Sequence, residues 1–332
     1  MPDTGGRIIS TFCGLFCGKP VKLTALDPKL PRIFIFMQII GITCSLGAAF
    51  LWALAFVLFK KSGETISPMA LNIFKCTVTL ALLIPTLLLF NIELFPDRPL
   101  SDWIVFSLSG IFGVTLADTF FFMALSRLGA GMTAVIDCLY LPLILFLSFV
   151  FIDEILGIKG LCGAGLVVVA IIISSSARPV TAVSRKNLAQ GIALGILAVS
   201  LLAGSIVMIK YRLEEVPVLW ASFVRILAGT TGLYLLAVLH SDKKSLVAEL
   251  YPSKSWKTAL PASIIGNYMA MVAWLAGIKY IPVSAAAVLN QLSAIFIFIL
   301  AAIFLKEPIT LPRLSATLLA VSGAIIVATT IN

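Results

Sequence analysis

Long apolar stretches separated by short polar gaps run through most of this sequence. From residue 38 onward, ten such stretches follow one another. A helix needs about 20 apolar residues to cross a hydrocarbon core of roughly 30 Å. The pattern therefore predicts ten transmembrane helices, with spans at residues 38–59, 68–90, 103–125, 130–152, 155–175, 188–210, 217–239, 259–279, 283–305 and 311–331.

The composition agrees with lipid as the main solvent of the chain. Apolar residues make up 60% of the sequence and charged residues only 12%. Backbone polar groups in lipid must be paired within a helix or a closed barrel, and the alternating runs of about ten residues typical of barrel strands are absent. The fold class predicted is thus an all-α polytopic membrane protein.

Polar segments outside the spans are short. The longest internal gap, 240–257, cannot hold a folded soluble domain, and this excludes a catalytic or nucleic-acid-binding module outside the membrane. Residues 1–36 form a basic tail, and the net charge of +9 belongs to this tail and the loops. Such charge suits contact with anionic lipids, so membrane lipids are expected partners and nucleic acid is not.

The chain also resembles itself. At an offset of 150 residues, seven of twenty positions match between the first and sixth spans, and a second set of matches joins the fourth and ninth spans at an offset of 153. The intramembrane polar positions repeat as well, because Lys75 falls on Arg225 and Asp137 falls on Asn290. We therefore predict two five-helix repeats, at 37–176 and 187–332.

An odd number of helices in each repeat makes the second repeat enter the membrane from the opposite side. Such inverted repeats place a transported solute near the midplane, where the two halves meet. Lys75, Asp118 and Asp137 fall roughly 10 to 12 Å below one membrane face, and one lysine could meet both carboxylates. Arg225 and the pair Asn290 and Gln291 fall at a similar depth below the other face, which predicts a polar cavity between the halves.

Charged residues inside spans are costly, so these positions are candidates for binding. The structural alternative is that Lys75 and Arg225 extend toward the headgroups while the two aspartates only hold helices together. For the amide side chains, Asn267 included, the alternative is hydrogen bonding between helices. The predicted substrate-binding set is Lys75, Asp118, Asp137, Tyr140, Arg225, Asn267, Trp274, Asn290 and Gln291.

Aromatic residues divide by depth. Trp103, Trp220 and Trp256 lie near predicted helix ends, where membrane-interface aromatics are found. Tyr140 and Trp274 lie deeper, together with Trp52, and either line a cavity or pack as ordinary core aromatics.

No cofactor or metal site is predicted. The six cysteines are scattered and match neither a disulfide framework nor zinc spacing, and the single histidine falls at a helix end.

The end of the third span resembles a known family. The segment 117–125, ADTFFFMAL, followed by Leu128-Gly129-Ala130, is similar to the same region in EamA-type members of the drug/metabolite transporter superfamily. Pro142 in the fourth span and the acidic residues 153–154 at its end occupy places where those proteins carry a proline and a Gly-Glu step. The glycine of that step is absent here, and Ile295 stands where a second proline would repeat.

The resemblance implies a multi-pass carrier in the inner (plasma) membrane that moves a small metabolite by alternating access. Amino acids and nucleotide-related compounds are the solute classes implied, with a proton as a candidate coupling ion. The rival interpretation is an intramembrane enzyme acting on a lipid or isoprenoid, with the two aspartates as an acid pair; a non-transporting sensor is a third. Substrate, direction, membrane orientation and oligomeric state do not follow from the sequence.

Overall fold

A computed structural model describes residues 30–152, 185–239, 243–251, 254–281, 283–306 and 310–328, with isolated positions between 158 and 173. Its helices are α1 (Leu30–Ser62), α2 (Pro68–Leu89), α3 (Leu100–Leu128), α4a (Ala130–Asp137), α4b (Tyr140–Ile152), α5 (Arg185–Leu213), α6 (Val218–Leu239), α7 (Lys243–Leu250), α8 (Trp256–Tyr280), α9 (Val283–Phe304) and α10 (Leu311–Ala328). In this numbering, α5 and α6 are the predicted sixth and seventh spans.

Within the described residues, six helices are long and apolar enough to cross a membrane, namely α1 from Ile35 onward, α2, α3, α5, α6 and α8. Shorter apolar segments lie in α4, α9 and α10. The helical fold is confirmed, while the number of ten spans stays a prediction. The fifth span lies largely outside the described residues, as do positions 1–29 of the basic tail.

Several helices extend further than the hydrophobic pattern predicted. The first helix begins at Leu30 and not at residue 38, so its start includes part of the predicted tail. The Ser67 side chain caps α2 by accepting a hydrogen bond from the Ala70 amide, and Pro68 occupies the first helical turn, where its missing N–H costs nothing. Gly129 joins α3 to α4a with φ at 79°, a conformation that favours glycine.

Two helices contain wide turns that the sequence pattern did not reveal. Residues Ile111–Ala117 of α3 and Ser263–Ala270 of α8 are π-helical. Each is the third span-length helix of its repeat, so the irregularity is itself repeated. A π-helical turn bonds each carbonyl to the amide five residues later instead of four, and such turns are often found at functional sites.

The two halves interlock and do not lie side by side. Helix α1 packs against α8 and α9 of the second half, and α5 packs against α3 and α4 of the first. Helices α2 and α6 pack together, have 22 residues each, and start 150 positions apart, in register with the predicted duplication. The two halves therefore share one core.

Small residues allow this close packing, as Ser109 and Gly113 show. The Ser109 hydroxyl donates to the Ser205 carbonyl at 2.6 Å, and a Cβ added at Gly113 would overlap the Ser205 hydroxyl. Helices α3 and α5 thus approach each other across the boundary between the repeats.

The position of Trp220 corrects one prediction. This side chain is fully buried and packs against Trp103 and Phe106, with Arg98 over its ring. It is therefore a packing residue of the bundle and not an interface aromatic.

Candidate functional site

A cavity of about 170 Å³ lies between the two repeats. Eight of the nine predicted binding residues line it: Lys75, Asp118, Asp137, Tyr140, Arg225, Asn267, Trp274 and Asn290. The side chain of the ninth, Gln291, lies outside the described part of the structure. The fold thus brings the described residues of the set to one place, and their role in binding stays a prediction.

Lys75 is held by polar groups from both repeats. Its Nζ lies 2.5 Å from Asp118 Oδ2 and donates to Asn267 Oδ1 at 3.0 Å. The side chain is 4% exposed, so the alternative in which Lys75 extends to the headgroups is wrong. The expectation that it meets both aspartates is also wrong, because its second partner is Asn267 and not Asp137.

The contact to Asn267 continues into a short chain of hydrogen bonds. Asn267 Nδ2 donates to Thr79 Oγ1 at 2.8 Å, and the Thr79 hydroxyl donates to the Lys75 carbonyl at 2.8 Å. Asn267 lies in the π-helical segment of α8, and Asp118 immediately follows that of α3. Both irregular turns therefore place a polar side chain against the same lysine.

A second amide supports the π-helical turn of α3. Asn72 Nδ2 donates to the Val114 carbonyl at 2.9 Å and to Thr119 Oγ1 at 2.9 Å, and it is fully buried. This satisfies a carbonyl within the wide turn, where an unpaired buried acceptor would be costly. Asn72 was not singled out in the sequence, because a lone asparagine in an apolar span gives no hint of a π-helical partner.

Arg225 is buried, yet part of its guanidinium has no hydrogen-bond partner among the described residues. The residue is 3% exposed, and neither Nε nor Nη1 has a hydrogen-bond partner within the described residues. Nη2 lies beside Gly113, whose missing side chain leaves room for the guanidinium. Extension to the headgroups is therefore wrong for Arg225 too. A buried cation without a counter-ion is unfavourable, so this position calls for an anionic ligand or water.

Asp137 and Asn290 complete the polar part of the cavity wall. Asp137 is half-buried and forms no ion pair with any described residue. Asn290 is 7% exposed, and its side-chain oxygen has no hydrogen-bond partner in the described part of the chain. The predicted sequence repeat makes these two positions equivalent, and both residues line one cavity.

Aromatic side chains form much of the remaining wall. Trp52 and Trp274 have ring centroids 5.6 Å apart, and Tyr140 lies 6.2 Å from Trp274, so these residues both pack on one another and line the cavity. Four phenylalanines that the sequence interpretation missed also line it: Phe56, Phe59, Phe121 and Phe122. The spacing of Trp52, Phe56 and Phe59 along α1, at i, i+4 and i+7, could have indicated a shared face.

The arrangement is suited to binding a small, charged solute. Among the described residues, one cation and one carboxylate without ion-pair partners line a cavity with mainly apolar walls, which strengthens electrostatic contacts. A cavity of about 150 Å³ is enough for a benzene ring, so this one holds a solute of similar or slightly larger size.

Comparison with known proteins places the chain in a family. The model of the EamA-like transporter family matches twice, at residues 39–176 and 189–329. One solved crystal structure has a TM-score of 0.65 at 18% sequence identity, covering 86% of this chain and 95% of that chain, which shows a shared fold. No curated protein matches. Two matches that together span most of the chain, one to each predicted repeat, show that this protein belongs to the EamA-like transporter family of the drug/metabolite transporter superfamily.

Proposed function

We propose that this protein carries a small solute with an anionic group, such as an amino acid, across the inner membrane by alternating access. The observation that carries the proposal is the guanidinium of Arg225, buried at the cavity with two nitrogens unpartnered in the described residues. A planar guanidinium matches a carboxylate with two parallel hydrogen bonds. Arg225 is thus the anchor for the solute's anionic group.

Cavity size favours one of the two expected solute classes. A space of about 170 Å³ fits an amino acid better than a nucleotide-related compound. The aromatic and aliphatic walls suit an apolar side chain, because such contacts add affinity without a requirement for exact polar placement. Apolar amino acids are therefore the first solutes to test.

Lys75 takes a different role from Arg225 in this proposal. Its charge is already neutralised by Asp118, so it binds an anion only when that pair opens. A proton taken up by Asp118 would open the pair and free Lys75, which gives a route for coupling to a proton gradient. The solute would then be shared between Lys75 and Arg225, one from each repeat.

Polar contacts between the repeats close the bundle at both membrane faces. Arg212 donates to Asp102 at 2.7 Å on one face, and the hydroxyls of Thr65 and Ser255 lie 2.6 Å apart on the other. Each pair joins one repeat to the other. Alternating access requires these two sets of contacts to break in turn.

The test is uptake of labelled apolar amino acids into liposomes containing the purified protein, with and without a pH gradient. We expect saturable uptake by the natural sequence, loss to background in Arg225→Ala, and partial activity in Arg225→Lys, which keeps the charge but not the fork. Arg185→Ala is the matched control, because Arg185 is exposed at the start of α5 and does not line the cavity.

Normal uptake by Arg225→Ala would contradict the assignment of Arg225. Absence of uptake for every amino acid would contradict the proposed solute class. Conversion of an added lipid or isoprenoid without movement of any solute would favour the enzyme interpretation instead.

A further inference from the structure

Helix α4 is interrupted halfway along its predicted span. Segment α4a ends at Asp137 and α4b begins at Tyr140, and these two residues, on either side of the break, both line the cavity. The amides of Cys138 and Leu139 turn back to carbonyls three residues earlier, at 3.2 and 3.0 Å. Pro142 has no N–H to donate to the carbonyl four residues before it, so the ladder is not restored at once.

The break leaves one backbone carbonyl of α4 without its regular donor. The carbonyls of Val135 and Ile136 accept from the amides of Cys138 and Leu139, and the Leu143 amide donates to the Leu139 carbonyl, so the helix resumes within two residues. The Cys138 carbonyl would need an N–H from Pro142, which has none. At the break, a carbonyl without its regular donor therefore directly follows Asp137 in the chain.

Asn290 provides an independent sign of a ligand. Its side chain is more than nine-tenths buried, lines the same cavity, and has an oxygen atom without a donor in the described part of the chain. A buried acceptor left without a partner costs free energy comparable to a lost hydrogen bond. A donor that arrives from the cavity would remove that cost.

We infer that Asp137 and Asn290, beside the break in α4, form a subsite for a monovalent cation, and that the ammonium group of a zwitterionic solute occupies it. An ammonium group brings three N–H donors and a positive charge, which match a carboxylate and an amide oxygen. This inference rests on the proposed function. It adds that solute selection depends on a positive group as well as on the anionic group held by Arg225.

The cavity supports this assignment with its aromatic wall. Trp274 and Tyr140 adjoin each other and the break in α4, and ring faces attract cations through their quadrupole. Lys75 does not compete for Asp137, because its nearest acceptors are Asp118 and Asn267. The carboxylate of Asp137 is therefore left to a mobile cation.

The test compares two probes that differ in one group. L-phenylalanine and 3-phenylpropanoate share a ring and a carboxylate, and only the first carries an ammonium group. Equilibrium binding of each to the purified full-length protein is measured in sodium and in N-methylglucamine buffers. We expect the natural sequence to bind L-phenylalanine at least about tenfold more tightly, in both buffers.

In Asp137→Asn the ratio of the affinity for L-phenylalanine to that for 3-phenylpropanoate should fall to about one, with the affinity for 3-phenylpropanoate unchanged. Asn290→Leu should reduce the preference in part. Asp97→Asn is the control, because Asp97 lies exposed in the loop between α2 and α3. A misfolded variant is recognised because it also loses binding of 3-phenylpropanoate, which does not depend on the subsite.

Three outcomes would overturn the inference. Equal binding of both probes by the natural sequence would contradict the subsite and leave the proposed binding of a carboxylate by Arg225 unaffected. Binding that needs sodium in the natural sequence but not in Asp137→Asn would assign the cation as Na⁺ and not as the solute's ammonium group. Binding of neither probe would overturn the proposed function together with the subsite.

Discussion

At the scale of single residues, the charges of this protein divide into a satisfied pair and unsatisfied groups. Lys75 and Asp118 neutralise each other inside the bundle, whereas Arg225 and Asp137 face the cavity without ion-pair partners among the described residues. Burial of a charge is tolerated when it is paired and hydrogen-bonded. The first pair therefore stabilises a conformation, and the other two residues are available to a ligand.

Removal of one member of the Lys75–Asp118 pair should destabilise the protein strongly. Asp118→Asn leaves a lysine that is 4% exposed without its counter-ion, at a cost of about 3 kcal/mol. Lys75→Met leaves the carboxylate alone, with a smaller cost because Asp118 is 27% exposed. The double variant should be less destabilised than the sum of the two. Thermal unfolding in detergent measures all three, and additive effects would show that the pair contributes nothing as a pair.

At the scale of helices, the π-helical turns set where Asp118 and Asn267 lie. Each wide turn departs from the regular helical hydrogen-bond ladder, and in α3 the Val114 carbonyl accepts a hydrogen bond from Asn72 of α2. This donor lies in a different helix and is not encoded in the sequence of α3. The turn is therefore a property of two packed helices and not of one.

Asn72→Leu should weaken the wide turn of α3. This change keeps the branched shape of the side chain but removes both donated hydrogen bonds, and interhelical hydrogen bonds in membranes contribute about 0.6 to 1.7 kcal/mol each. We expect a loss of about 1 to 3 kcal/mol in thermal unfolding. Thr231→Val on the exposed face of α6 removes a hydroxyl bonded only within its own helix, and serves as the control. Equal stability of both variants would contradict a role for Asn72 in the turn.

The contact between α3 and α6 depends on Gly110. A Cβ at this position would overlap the backbone carbonyl of Arg225, which cannot move aside as a side chain could. Gly110→Ala should therefore separate the helices, shift Arg225, and lower both unfolding temperature and amino-acid uptake. Gly47→Ala is the matched control, since nothing lies within 4 Å of a Cβ there, and alanine should stabilise α1 by about 0.5 to 1 kcal/mol. Unchanged uptake in Gly110→Ala would show that the close contact does not position Arg225.

At the scale of the whole molecule, the two repeats are held together at the centre and at both faces. Lys75 of the first repeat contacts Asn267 of the second at the cavity, and the pairs Arg212 with Asp102 and Thr65 with Ser255 join them near the surfaces. A carrier must break the surface contacts in turn while the bundle stays intact.

A covalent link at one face should therefore stop transport. The hydroxyls of Thr65 and Ser255 lie 2.6 Å apart, close enough for cysteines at both positions to form a disulfide. Oxidation of Thr65→Cys/Ser255→Cys should reduce uptake to less than about a tenth, and a reductant should restore it. The two single-cysteine variants control for the native cysteines. Uptake that survives complete cross-linking would show that this face need not open.

Much of the architecture follows from the sequence alone. The lengths of the apolar stretches predict helices long enough to span lipid, and internal matches such as Lys75 with Arg225 predict the two repeats to which the family model matches. Inversion of the second repeat stays a prediction, because it depends on an odd number of crossings in each repeat. The cost of burying charge in lipid also identifies which residues to examine. These properties depend on composition and order along the chain, so no contact needs to be known.

Only the tertiary structure decides which charge meets which partner. The sequence placed Lys75 between two aspartates, yet the fold gives it Asp118 and Asn267, and leaves Asp137 free of ion pairs with described residues. The reason is that a side chain's direction depends on helix rotation and on the π-helical turns of α3 and α8, and both depend on packing between helices. Position within an apolar span determines how deep a residue lies in the membrane. Only packing decides whether its side chain faces the cavity, a neighbouring helix or lipid.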